Sequence, residues 1–377
     1  MKEKSTVKQK PEEVINLAKD NLLKRMISKK KSKSVLSADL KVAIIGPSGY
    51  TGHEIIRILL KHPKVEIKLL IGNKSEGKNI SEIFSSLSQI ELPKIKSLKA
   101  VNFSSIDIVF SCMPSGNLDS IIHLIPKDVV VIDLSADFRI KDIKLFEKYY
   151  TKHQNPKYLK KFIYGLTEFN RNKIKKSRYI ACPGCYPTSI LIPILPLIKK
   201  NIISNNDIIV DSKSGLSGAG RNTKQGLLFS ENYNSLKAYG GGDHRHIPEI
   251  ESFIYDQTSK KINVIFTPHL LPINRGILST IYLKGNAILI QKTLFKYYEN
   301  ESFIQINDLG EMPKISDVIG SNSCRIGILQ HNKKNHVIIT SVIDNLLKGA
   351  SGQAVQNMNL MFDMPEELGL DQHSIWP

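Results

Sequence analysis

The chain has 377 residues, of which 41% are apolar and 23% charged, and carries a net charge of +18. That length points to two domains, because single cores rarely grow beyond about 250–300 residues. The longest apolar stretch, SILIPILPLI, is broken by Pro193 and Pro196 and falls short of a membrane span, and Cys112, Cys182, Cys185 and Cys324 are too few for a disulfide framework.

Residues 1–38 read as a basic extension. PEEVINLAKDNLLKRM has Val14, Leu17, Leu22 and Met26 at helical spacing, and KKKSKS reads as a solvated linker. The start, MKEKSTVKQKPEEV, lacks a signal-peptide apolar core, so a cytoplasmic, reducing location is expected. A plastid is the alternative if residues 1–38 act as a targeting segment, although Glu3, Glu12, Glu13 and Asp20 argue against that.

From Lys41 the pattern changes. KVAII is a short buried strand, GPSGYTG a glycine turn, HEIIRILLKHP an amphipathic helix ending before Pro63, and VEIKLLIG a second strand. IDIVFSC (106–112) and VVVIDLS (129–135) are further apolar strands between helical segments. The alternation predicts an α/β fold with a Rossmann-like, doubly wound parallel sheet. After Cys185, DIIVDSKSG, NVIFTPHLLP, GILSTIYLKG and NHVIITSVID are longer strands with hairpin or long connections. They predict an α+β domain with a mostly antiparallel sheet. The tail, NLLKGASGQAVQNMNLMFDM, reads as helical.

Residues 1–40 hold eleven Lys/Arg against five Asp/Glu, and the remaining positive charge is spread along the chain. A basic protein binds nucleic acid or holds anionic metabolites. No aromatic-studded basic stripe accompanies the charge, so nucleic-acid binding is not expected and a small anionic substrate is.

Gly46-Pro-Ser48-Gly49-Tyr50-Thr51-Gly52 leaves a strand and opens a helix. Glycines let the backbone approach a pyrophosphate, and the helix start offers free N–H groups. The turn predicts dinucleotide binding; the plain alternative is an ordinary tight strand-to-helix turn. The second strand ends in LLIGNKSEGK, where NAD sites place an acid. Lys74 with Asn73 and Ser75 suits a 2′-phosphate, so NADP (NADPH) is favoured, with Glu76 the nearest acid and Lys74 otherwise a surface lysine.

ACPGC places Cys182 and Cys185 three apart, ahead of a helix starting in YPTSILIPILPLIKK. A zinc site needs further closely spaced ligands, and Cys112 and Cys324 are isolated. A dithiol remains open on spacing alone. The other reading is one nucleophile, Cys185, at a helix N-terminus that lowers the thiol pKa. GGDHRHIPEIE offers His244 and His246 as acid/base partners, flanking Arg245 and followed by Glu249; exposed loop histidines or a metal site are the alternatives. SKSGLSGAGR delivers Arg221, and LSADFR delivers Arg139 to the carboxyl edge of the sheet, where either could clamp an anion.

GxSGYTGxE, LSADFR, YGLTE, PGCYPT, KSGxSGAGR, HRHxPEIE and DNLLKGASGQAVQNMN occur in that order, from about Lys41 to the end of the chain. The set closely resembles the N-acetyl-γ-glutamyl-phosphate reductase family of arginine biosynthesis. The resemblance implies NADPH-dependent reduction of N-acetylglutamyl 5-phosphate to the 5-semialdehyde, through a thioester on Cys185 with Cys182 as a bystander. It further implies His246 as acid/base, Arg139, Arg221, His244 and Glu249 on the substrate side, and Ser217, Gly218 and Asn345 near the cofactor. It implies a homodimer or homotetramer, and a dinucleotide domain over 39–185 completed by 345–377, with 186–344 as the second domain. Aspartate-semialdehyde dehydrogenase and a carrier-protein-linked aminoadipyl or glutamyl phosphate reductase are the rival relatives; an acidic carrier would suit the basic surface. From another class, the rival is a binding module with an inert Cys185 and the N-terminal lysines on RNA.

Overall fold

The computed structural model describes residues 40–203, 207–222, 224–332 and 335–375. The extension and its amphipathic segment lie outside them.

The first half builds one parallel sheet from β1 (Leu40–Ile45), β2 (Val65–Ile71), β3 (Ile95–Lys96), β4 (Ile108–Ser111), β5 (Val130–Asp133), β6 (Ile163–Tyr164) and β7 (Tyr179–Ala181). The order is β3-β2-β1-β4-β5-β7-β6, every pairing parallel. Val42, Ala43, Ile44 and Ile45 are all buried, as a strand covered on both faces requires. The winding reverses at β1, which lies between β2 and β4. Ligands of such sheets bind beyond the carboxyl ends at that switch point. The glycine turn leaves β1 there, LSADFR leaves β5 and PGC leaves β7.

The second sheet contains β8 (Asp207–Gly215), β9 (Lys237–Ala238), β10 (Asn263–Leu271), β11 (Ile277–Lys284), β12 (Ile304–Ile306), β13 (Cys324–Gln330) and β14 (His336–Ile343), in the order β12-β13-β14-β11-β8-β10-β9. Pairs β8–β10 and β12–β13 are parallel and the other four antiparallel. The expected mostly antiparallel sheet is present. β13 was not among the expected strands. Its centre is Gly327, which lets residues 311–313 cross: a Cβ there would lie 2.4 Å from the Glu311 carbonyl oxygen.

The helix Cys185–Lys199 is buried from Tyr186 to Ile198 despite Pro193 and Pro196 inside it, and packs with the His246–Thr258 helix on the second sheet. An all-round apolar helix belongs in a core. The carboxyl-terminal helix Gly352–Met361 sends Ala354, Val355, Met358 and Leu360 into the core of the first sheet.

Candidate active site

Cys185 opens its helix, with Gly184 as N-cap, no side-chain cap and no acid in the first turn. First-turn N–H groups are thereby left for a sulfur or a bound anion. Cys185 is half-buried and packs against the second-sheet core. Cys182 is 1% exposed, sits in the first-sheet core and takes a contact from Asn357 Nδ2 at 3.9 Å. Burial pushes the Cys182 thiol up to about 12, so it stays protonated.

Burial also raises the Cys185 thiol above its ordinary value, against the charge of Arg139, the Tyr186 amide and the charge of Arg245. The helix terminus alone predicts the opposite sign. Lost hydration outweighs the helix end and both cations, which favours the protonated thiol.

Glu249 Oε1 accepts the Gly184 N–H at 2.8 Å and the Tyr164 hydroxyl at 2.7 Å, while Oε2 pairs with Arg139 Nη1 at 3.2 Å. Arg139 Nε donates to the Cys182 carbonyl at 2.7 Å and Nη2 to the Leu134 carbonyl at 2.9 Å. Both side chains were expected at the substrate. Both are buried and engaged in gripping the turn that presents Cys185.

His246 begins the helix His246–Thr258 and is buried. A Cβ on Gly184 would lie 2.6 Å from His246 Nε2 and 3.0 Å from Arg139 Nη1, so only glycine lets the imidazole rest against the residue before Cys185. Its Nδ1 is buried without a partner. Burial, then the charges of His244, Arg139 and Arg245, hold His246 well below the usual histidine range and therefore neutral. His244 Nδ1 accepts the His246 backbone N–H at 3.2 Å, and its ring meets Tyr186 and Tyr239 edge-on. Burial and Arg245 bring His244 down to about 4. Of the two, His246 is the one against the turn that presents Cys185.

The glycine turn fits a dinucleotide. Gly46 has φ +81°, and a Cβ on Gly52 would lie 2.4 Å from the Gly46 carbonyl oxygen. Gly49 caps the helix Tyr50–Leu59 with no side-chain cap and no acid in the first turn, leaving its amides to an anion. Lys74 is exposed on the turn ending β2, and Glu76 accepts the Ser97 N–H at 3.2 Å. A cavity of about 450 Å³ is lined by Tyr50, Ser217, Arg221, Lys224 and Arg275. Asn345 Nδ2 donates to Ser217 Oγ at 3.0 Å, and its Oδ1 accepts the Gly276 N–H at 2.7 Å. Gly218 follows, close to Ser214 Oγ. Arg221, expected at the substrate, donates to the Ser48 carbonyl at 3.1 Å and lies 4.9 Å over the Phe84 ring, beside the glycine turn. Ser48 and Thr51 complete that turn.

Sequence reasoning left Arg245, Tyr164 and Arg275 without roles. Arg245 could have been found from its place between the histidines. Tyr164 and Arg275 act through partners distant in sequence, Glu249 and Glu54, and carry no local signal.

Two family models match: semialdehyde dehydrogenase, NAD binding domain, over residues 41–177, and semialdehyde dehydrogenase, dimerisation domain, over residues 185–345. With the sheet and the glycine turn, they define the class as a nicotinamide-dependent oxidoreductase of the semialdehyde dehydrogenase type. Curated relatives narrow it. The chain is 45% identical to N-acetyl-gamma-glutamyl-phosphate reductase of Alkaliphilus metalliredigens, over 90% of this chain and 100% of that one. It is 44% identical to the protein of that name from Ehrlichia chaffeensis, over 89% and 98% of the two chains. It is 42% identical to the probable chloroplastic N-acetyl-gamma-glutamyl-phosphate reductase of Arabidopsis thaliana, over 90% and 86%. The fold matches aspartate semialdehyde dehydrogenase II of Vibrio cholerae, solved with ASA, at a TM-score of 0.66 and 16% identity over 87% of this chain and 99% of that one. It also matches the Candida albicans enzyme, solved with NADP, at 0.61 and 15% over 86% and 98%. The chain belongs to the N-acetyl-gamma-glutamyl-phosphate reductase family, the one its motifs resemble.

Proposed function

We propose that this chain reduces N-acetylglutamyl 5-phosphate to N-acetylglutamate 5-semialdehyde with NADPH, releasing phosphate, and that Cys185 carries the acyl group between the two half-reactions. The observation that carries the reading is His246 resting on Gly184, beside a helix-opening Cys185.

His246, neutral through burial, takes the Cys185 proton as the sulfur attacks the acyl-phosphate carbonyl. The carbon–sulfur bond forms, the bond to phosphate breaks, and the proton passes to the departing phosphate oxygen. NADPH, when bound, supplies a hydride to the thioester carbonyl carbon. The resulting oxyanion collapses, the carbon–sulfur bond breaks, and the aldehyde leaves; the thiolate regains a proton from solvent. Uncapped first-turn amides of the Cys185 helix suit the developing oxyanion. Arg139 and Glu249 hold the turn, and Arg245 adds positive charge that favours an anionic substrate beside His244.

The cofactor residues of this reading are Gly46, Ser48, Gly49, Tyr50, Thr51, Gly52, Lys74, Ser217, Gly218 and Asn345, with Arg221 joining them. The preference for NADP is supported by Lys74 at the end of β2, by Glu76 being engaged elsewhere, and by the neighbour solved with NADP. The division into 39–185 with 345–377, and 186–344, is supported by the carboxyl-terminal helix packing into the first-sheet core. A homodimer is supported by the name of the second family model and by an apolar row across five strands, Ile265–Ile209–Tyr282–Ile338–Leu329, on the open face of the second sheet. A cytoplasmic or plastid location fits four free cysteines, the plastid being the one named for the Arabidopsis thaliana relative. Among the described residues, no helix is long and apolar enough to cross a membrane.

The test is the reverse reaction: NADP, phosphate and N-acetylglutamate semialdehyde with the purified protein, followed by NADPH absorbance. Phosphate-dependent NADPH formation supports the reading. A folded protein with no such activity, but active on aspartate semialdehyde, overturns the substrate.

A further inference from the structure

β14 does not run straight into the last α-helix. Between them lies a single π-helical turn, Leu347–Ser351. In it the Gly349 N–H bonds the Asp344 carbonyl at 3.0 Å and the Ser351 N–H bonds the Leu346 carbonyl at 2.9 Å, each five residues back. Single π turns are uncommon and recur at functional sites.

This turn touches both halves of the site. Gly349 backs onto the nucleophile: a Cβ there would lie 2.8 Å from Cys185 Cβ and 3.3 Å from Cys185 Cα. Two residues on, Ser351 Oγ donates to the Thr51 carbonyl at 3.0 Å, at the start of the helix that follows the glycine turn. Lys348, immediately before Gly349, is fully buried, its ammonium bonding Glu168 Oε1 at 2.6 Å and Gln356 Oε1 at 2.8 Å. Asp344, just before the turn, accepts the Leu346 N–H at 2.9 Å and the Gly320 N–H at 2.8 Å and pairs with Arg275 at 3.4 Å.

We propose that this π turn is a spacer fixing the nucleophile relative to the dinucleotide turn, with Gly349 and Lys348 as positioning residues for the reaction. The inference rests on Cys185 being the nucleophile. An α-helical turn in its place would remove the extra residue and rotate the following positions by about 100°. Gly349 would leave Cys185, and Ser351 would leave Thr51. Buried ion pairs are poor sources of stability, because apolar replacements of similar volume are often neutral or stabilising. The Glu168 Oε2 atom is buried without a partner, so this pair is not arranged for maximum stability. What Lys348 supplies is one register for the turn.

Two variants test this: Gly349→Ala, and the apolar replacement Lys348→Met with Glu168→Leu. Five quantities are read: melting temperature, NADPH binding by its fluorescence, Cys185 alkylation by iodoacetamide across pH without cofactor, and kcat and KM in the reverse reaction. For Gly349→Ala the expected result is at least a tenfold loss of kcat, at least a fivefold change in alkylation rate, and an NADPH Kd within twofold. The apolar pair is expected to melt no lower than the parent and still lose kcat at least fivefold. If one variant does not fold, the other decides. Unchanged kcat and alkylation in a folded variant overturn the proposal, as does a kcat loss matched by equal losses in NADPH affinity and melting temperature. Failure of the underlying reading is separately visible, as full activity in Cys185→Ser.

Discussion

Glu249 accepts the backbone N–H of Gly184 at 2.8 Å, one residue before Cys185. The same helix begins with His246, so one carboxylate ties the Cys185 turn to the helix that carries the proposed base. Glu249→Gln keeps the size and removes the charge facing Arg139. Unpairing a buried ion costs about 3–5 kcal/mol, and displacing a reacting group by about 1 Å costs about a hundredfold in rate. The expected outcome is a clear drop in melting temperature and a kcat loss of about ten- to a hundredfold, with KM for NADPH unchanged. Steady-state kinetics beside a melting curve check it; an unchanged kcat would leave Glu249 no positioning role.

The two cysteines separate cleanly by substitution. Cys185→Ser should lose at least about a thousandfold in the phosphate-dependent reverse reaction, because a serine hydroxyl in its place is far less nucleophilic. Cys182→Ser should keep kcat within about threefold and lose about 1–3 kcal/mol of stability, the cost of placing a hydroxyl in the first-sheet core. Loss of activity in both, with both folded, would point to a paired-cysteine chemistry instead.

Burial raises the Cys185 thiol above its ordinary value, so in the cofactor-free protein its alkylation should climb at higher pH than that of a free cysteine. At pH 7.5 it should react with iodoacetamide more slowly than a free cysteine. A plateau below pH 8 would mean that the helix end and the arginines outweigh burial after all.

Much of this architecture is legible in the sequence where side chains alternate or glycines mark a turn. DIIVDSKSG coincides with β8 because its residues alternate between core and exterior. The glycine turn is readable because only glycine tolerates the Gly46 backbone and the Gly52 contact. β13 escapes because Gly327 interrupts its apolar run. The sign of the Cys185 shift escapes because it depends on how deeply tertiary packing buries the sulfur. Arg139 and Glu249 read in sequence as substrate-side residues, and only the fold shows them paired with each other across 110 positions. The π turn escapes because NLLKGASGQAV reads as plain helix.

Arg221 lies at the Ser48 carbonyl, on the glycine turn. Arg221→Ala should therefore raise KM for NADPH about tenfold and leave kcat within twofold, the loss of one charge-assisted contact. Lys74→Ala should narrow the preference for NADPH over NADH. Parallel titrations of the two nucleotides measure both effects.

The Glu54 carboxyl links the helix after the glycine turn to Arg275, at 2.8 Å. Burial favours its neutral form, but the His53 hydrogen bond and the charges of Arg275 and Arg57 prevail and hold it at about 2, below 4.5. A depressed carboxylate contributes stability that is complete above its unfolded value and lost as pH falls through the folded one. The window here is from about 4.5 down to about 2, and the contribution is on the order of 2–3 kcal/mol. Glu54→Gln should melt lower than the parent at pH 7, and the gap should close towards pH 3. A gap that stays constant with pH would contradict the link.

Cys182 and Cys185 are three positions apart, yet they belong to different cores. Cys185 therefore sits on a seam. A chain that has assembled only its first sheet has the glycine turn but lacks His246 and Glu249, whose helix packs with the second. A chain that has assembled only the second has His246 but not the Leu134 and Cys182 carbonyls that Arg139 grips. The groups proposed for acyl transfer are thus complete only where both cores are in place, so damage to either core is expected to reach the same site.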